Sequence, residues 1–129
     1  IDAIDSLSSK VRLIHAAVSQ GIPVVSSMGA AGRLDPASIQ VGDISESQIC
    51  PLARFVRKRL HRLGIYDGVR CVYSTERPCC MGHATEDGDE EGSIRGRKRQ
   101  PLGTISYMPA LFGFLAGAEA VRMIIEARG

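Results

Sequence analysis

The acidic residues near the start of the chain are the first candidates for chemistry. Asp2 and Asp5 lie three residues apart in the segment IDAID, followed by Ser6 and, a turn further on, Lys10. A short apolar run ahead of helical periodicity reads as a strand end, so Asp5 falls where ligands of open α/β sheets gather. Asp5 also has the competing reading of a helix N-cap, and Ser6 and Ser8 compete for the same position. Asp2 reads as a strand-end residue or as an acid supporting Asp5. An isolated Lys10 in a first helical turn is ordinarily exposed.

The cysteines offer less. Cys50, Cys71, Cys79 and Cys80 contain no C-x-x-C pair, the spacing that a four-thiolate zinc site needs, so no zinc is expected. Cys79, Cys80 and His83 could ligate or react, but adjacent cysteines rarely reach one metal. Cys71 alternates within a predicted strand and reads as a small buried hydrophobe. A separate chemistry belongs to the basic residues Arg54, Arg57, Lys58, Arg59 and Arg62 and to the block Arg95, Arg97, Lys98, Arg99. Either could meet nucleic-acid phosphates or simply be solvated, and the acidic block at 86–91 opposes RNA near the second.

The elements that must position these groups follow from periodicity. IDAID leads into a helix striped by Val11, Ile14, Ala17 and Val18 and stopped at Gly21, and IPVVSS then reads as a parallel strand reached by a crossover. MGAAGRLDP is a loop by turn chemistry, and SIQVGDI a short strand. From Pro51 to Leu63, the residues Leu52, Phe55, Val56, Leu60 and Leu63 define an amphipathic basic helix, and GVRCVYS is a further strand. Positions 77–101 are poor in large apolar residues and are expected to form a mobile loop. From about Tyr107 to Ala127 runs a long apolar helix whose Ala110, Gly113, Ala116, Gly117, Ala118 and Ala120 suit close packing in a core or at a subunit interface. The predicted class is α/β, with a sheet parallel at its start and mixed toward its end.

At 129 residues, 44% hydrophobic and 23% charged, with a net charge of +2, the chain has the composition of one ordinary globular domain. Neither a targeting segment nor an apolar run near the ~18 residues of a membrane span is evident, and reduced thiols suit a cytoplasmic protein. Ile1 reads as the continuation of a strand, so an upstream segment is expected.

Five stretches, in chain order, resemble the HesA/MoeB/ThiF superfamily of adenylating, ubiquitin-activating-type enzymes: DAIDS, MGAAGRLDPASIQVGDI, PLARFVRKRLHRLGI, VRCVYSTERP and GTISYMPALFGFLAGAEAVR. The likeness is closest to its threonylcarbamoyladenosine dehydratase branch and covers only the C-terminal half of such a domain. It implies a Rossmann-like sheet lacking the N-terminal nucleotide-binding half. It also implies ATP and Mg²⁺ as cofactors, Asp5 as the catalytic acid that meets the metal, and Asp5, Ser6 and Lys10 as cofactor-binding residues. Arg54, Arg57, Lys58 and Arg62 become candidate tRNA contacts. The implied reaction is adenylation of the threonylcarbamoyl carboxylate on tRNA, which then cyclises. Ser6 and Lys10 stand where sulfur-carrier-activating relatives have Asn and Arg, which favours the tRNA branch over activation of a ubiquitin-like carrier. A homodimer is implied, with a sulfur-carrier or cysteine-desulfurase system protein as another possible partner. A non-catalytic dimerisation module is the remaining alternative. No G-x-G-x-x-G occurs in the chain, so by itself it is not expected to bind ATP tightly.

Overall fold

A computed structural model describes residues 1–79 and 103–129. Cys80, His83 and the acidic and basic blocks of the 77–101 segment lie outside the described residues.

Helix α1 spans Leu7–Ser19, strand β1 Val25–Ser27, strand β2 Ile39–Asp43, helix α2 Pro51–Arg62, strand β3 Arg70–Ser74 and helix α3 Tyr107–Arg128. The sheet order is β1-β3-β2, with β1 parallel to β3 and β2 antiparallel to it. The fold is therefore α/β with a small mixed sheet. The expected first strand is reduced to a single parallel bridge between Asp2 and Ser26. The ladder does not continue because the N–H of Ile4 is taken by the Asp2 side chain.

Side chains alternate across the pleat, so neighbouring strand residues serve different cores. Val24, Cys71 and Tyr73 join Val11 and Ile14 of α1 and Ala53, Val56 and Leu60 of α2 on one face. Val25 and Val72 join Met108, Phe112 and Ala116 of α3 on the other. On α2 the buried stripe is Ala53, Val56 and Leu60, while Leu63, expected inside, is exposed. That residue lies just past the helix, where the chain turns at Gly64 with φ +80°, so it leaves the apolar stripe.

Helix α3 packs on the sheet along one side only; Phe114, Val121, Ile124 and Ile125 are exposed. By length and composition it alone among the described helices is long and apolar enough to cross a membrane.

Candidate functional site

The Asp2 bridge, β1 and β3 run parallel, so their C-terminal ends share one edge of the sheet, where three connections meet: residues 3–6, 28–33 and 75–76. Helix α2 runs back against β3, and its first turn comes to the same edge. The position a Cβ on Gly29 would take is 3.8 Å from the Leu52 Cβ.

The first connection is held by a buried charge cluster. Lys10 Nζ donates to Asp2 Oδ2 at 2.7 Å, to Ser26 Oγ at 3.2 Å and to the Ser27 carbonyl at 2.8 Å. The Ser26 hydroxyl also donates to Asp2 Oδ2, at 2.6 Å. Asp2 and Lys10 are both fully buried at the side chain, 0% exposed, so Asp2 is not a plain strand-end residue and Lys10 is not an exposed lysine. An ammonium has three donors, and all three are used here. The remaining carboxylate oxygen, Asp2 Oδ1, accepts the N–H of Ile4 at 2.9 Å. The cluster thereby fixes the turn that carries Asp5.

Asp5 and Ser6 are exposed at that turn. Ser6 occupies the N-cap position of α1 without a side-chain capping bond, and the Asp5 carboxylate has no hydrogen bond or ion pair among the described residues. The capping reading of Asp5 is thus set aside: the side chain that organises this turn is Asp2.

The second connection, 28–33, holds a feature that sequence reading passed over. Arg33 is 2% exposed. Its Nη1 donates to the carbonyls of Gly29 and Ala31, while Nε and Nη2 have no hydrogen-bond partner among the described residues. An arginine inside the glycine-rich run GAAGR, directly after a strand, was the available signal. Gly32, at φ +70°, takes the left-handed turn that an L side chain resists. The third connection supports the second: Glu76 Oε2 accepts the N–H groups of Leu34 and Asp35, both at 2.9 Å. Tyr107 then donates to the Leu34 carbonyl at 2.7 Å, and the N–H of Gly32 to that of Gly103 at 3.0 Å, so the start of α3 is fastened to the loop.

The other candidates lie elsewhere. Arg57 is half-buried and directed inward: its Nη1 donates to Ser47 O at 2.6 Å and to Ser47 Oγ at 2.7 Å. That satisfies the chain between β2 and α2 and withdraws Arg57 from the basic surface, which Arg54, Lys58 and Arg62 keep as exposed residues. Arg54 lies over the Phe55 ring at 5.2 Å. Cys71 is buried, and desolvation, reinforced by the Asp43 charge, pushes its thiol up to about 12; it does not supply a thiolate near neutral pH. Among the described residues, no group of three or more His, Cys, Asp or Glu is placed to hold a metal.

No family model matches the chain. It is 34% identical over 128 residues to the tRNA threonylcarbamoyladenosine dehydratase of Bacillus subtilis, covering 98% of this chain and 50% of that protein. It is 34% identical over 139 residues to the Escherichia coli protein of the same name, covering 97% and 51%. The solved structure of E. coli tRNA N6-threonylcarbamoyladenosine dehydratase, TcdA, in complex with ATP is similar at TM-score 0.73 and 32% identity, over 97% of this chain and 47% of that one. The corresponding complex with AMP matches at TM-score 0.73 and 33% identity. The likeness to the dehydratase branch read from the motifs is thus found again in whole-chain sequence and in structure, and the chain spans about half the length of the curated relatives it matches.

Proposed function

We propose that this chain is the C-terminal part of an ATP-dependent enzyme that adenylates the carboxylate of threonylcarbamoyl-adenosine in tRNA, after which the adenylate cyclises with net loss of water. The observation that carries the reading is an uncommitted carboxylate, Asp5, held at the C-terminal edge of a sheet by a buried Asp2–Lys10 cluster. It occurs in a chain that, along nearly all of its own length and about half of theirs, is similar to proteins named tRNA threonylcarbamoyladenosine dehydratase.

The residues fit a magnesium–nucleotide complex in a limited way. Mg²⁺ is commonly held by one or two carboxylates together with waters and substrate phosphates, so a single exposed Asp5 is a sufficient protein ligand. When bound, the metal would neutralise charge on the phosphates that the substrate carboxylate must approach. This chain's own residues do the positioning. Asp2 sets the backbone of the turn, Lys10 and Ser26 hold Asp2 in one orientation, and Asp5 is left facing solvent. Lys10 serves the nucleotide site through Asp2, since its donors are already occupied. The exposed Arg54, Lys58 and Arg62 offer a sequence-independent contact for tRNA phosphates.

Asp5→Asn in the protein that carries this chain tests the reading, because it preserves size and removes charge. The expected kcat for adenylation falls ~10²-fold or more, while tRNA affinity and the thermal midpoint hold, the pattern of lost transition-state stabilisation. Near-normal adenylation by the Asn variant would sink the role given to Asp5.

A further inference from the structure

Arg33 carries more than the loop requires of it. Its guanidinium is anchored on one side only, by Nη1 to the carbonyls of Gly29 and Ala31, and the side chain is 2% exposed. The two nitrogens without a partner among the described residues are Nε and Nη2. They are the pair whose N–H bonds point in one direction and grip a carboxylate or phosphate with two parallel hydrogen bonds. A buried cation with its fork unfilled is costly in an isolated chain, and such groups are ordinarily paired.

The surroundings favour an anion over any other occupant. The Cβ position on Gly29 is 3.7 Å from Arg33 Nη1 and 3.8 Å from the Leu52 Cβ, so the anchored Nη1 corner of the guanidinium lies across a glycine from the first turn of α2. That helix is 12 residues long and its N-cap residue, Cys50, makes no side-chain capping bond, so the positive end of its dipole is not offset by a capping side chain. Ile49, just before it, is held at φ +62°, a backbone state that β-branched residues avoid and that keeps this approach in one conformation.

We infer that the Nε–Nη2 edge of Arg33, in the 28–33 loop, is an oxyanion-binding site that holds a carboxylate or phosphate group of the substrates. The assignment rests on the adenylation reading for its choice of ligand, though the site itself rests on the buried, unpartnered fork. Two sources share this chemistry, the threonylcarbamoyl carboxylate and a phosphate of ATP.

The test has a binding arm and a kinetic arm, both in the protein that carries this chain. In ¹⁵N-labelled protein the Arg33 Nε–H resonance, identified by its loss in Arg33→Lys, is titrated with inorganic phosphate and separately with acetate. A saturable shift with a Kd on the order of millimolar for at least one of them is expected. An Arg33 signal unmoved by both overturns the inference. Kinetically, Arg33→Gln is expected to raise one KM by ~10²-fold, that of the tRNA carboxylate or that of ATP, with the other within twofold. The one that moves identifies the source. Should the Gln variant fail to fold, Arg33→Lys keeps the charge and loses the side-on fork, and the same split is expected. Both KM values unchanged in a folded, active variant overturn the inference. A parent protein that shows the titration but never adenylates rejects the functional reading and leaves the anion site standing.

Discussion

The two faces of the sheet each carry an ion cluster, and the clusters are built for different work. Beneath α1, Asp2 and Lys10 are both 0% exposed and every donor of the ammonium is filled. Beside α3, Glu119 is 7% exposed, but its partners Arg70 and Arg122 are 31% and 48% exposed. The first cluster is sealed and reaches the backbone of the Asp5 turn. The second is a clasp at the boundary with water, joining β3 to α3 and continuing along the helix from Arg122 to Glu126. Burial makes a charge pair rigid and intolerant of losing a partner, while solvent makes it adjustable and weak.

The sealed cluster should therefore break hardest. Lys10→Met leaves the Asp2 carboxylate buried without its cation, and a loss of about 3–5 kcal/mol in denaturant unfolding is expected. Replacing both partners, Asp2→Leu with Lys10→Met, should recover most of it, because no uncompensated charge remains. A double variant as unstable as the single one would mean that the cluster matters through shape and not through charge. Even when stability recovers, adenylation should not, since the hydrogen bond that orders Ile4 and hence Asp5 is gone.

Glu119→Gln probes the clasp, with an expected loss of about 1–2 kcal/mol after screening of its half-exposed partners. The pH dependence follows from the same contacts. Hydrogen bonds from Arg122 and then Arg70 hold the Glu119 carboxyl down to about 2, against an ordinary 4.5. A depressed folded-state value adds stability that is complete above about 4.5 and is lost as the pH falls from there toward 2. The variant's stability should vary less with pH across that window than the parent's, as read by thermal midpoints at matched ionic strength. Parallel curves would remove the clasp from the account.

The smallest effect sharpens the comparison by leaving both clusters alone. Ile49 is 49% exposed and stands at φ +62°, a conformation Asn tolerates far better. Ile49→Asn is expected to raise stability by up to about 1 kcal/mol in urea unfolding, with the pH profile unchanged. A loss instead would show that the Ile49 side chain contributes packing that outweighs the backbone strain.

The positions of α1, α2, α3 and β3 were legible because apolar spacing and glycine stops act locally: Val11 and Ile14 are buried on α1, and Gly21 turns at φ +67°. The direction of β2 was not, since nothing in SIQVGDI records which strand it will pair with or how. The sealed cluster was half visible. Asp2 and Lys10 were noticed, but their meeting depends on Ser26, 16 residues beyond Lys10, and a lysine's local surroundings say only that lysines are usually outside. Glu119 was missed for the opposite reason: one acid in LFGFLAGAEAVRMI marks an exposed position by composition, whereas Arg70, 49 residues away, makes it a partner. Arg33 went unremarked because its significance lies in donors left over after folding, which no spacing pattern records.

The mutual burial of Asp2 and Lys10 also constrains how this sequence can drift. Each residue is acceptable only while the other is present, so a lineage that changes one must pass through a chain weakened by about 3–5 kcal/mol, a large share of the ~5–15 kcal/mol that holds a typical domain together. Accessible histories are then those in which both positions change almost together, or in which stability gained elsewhere, at a site such as Ile49, comes first and makes room for the step.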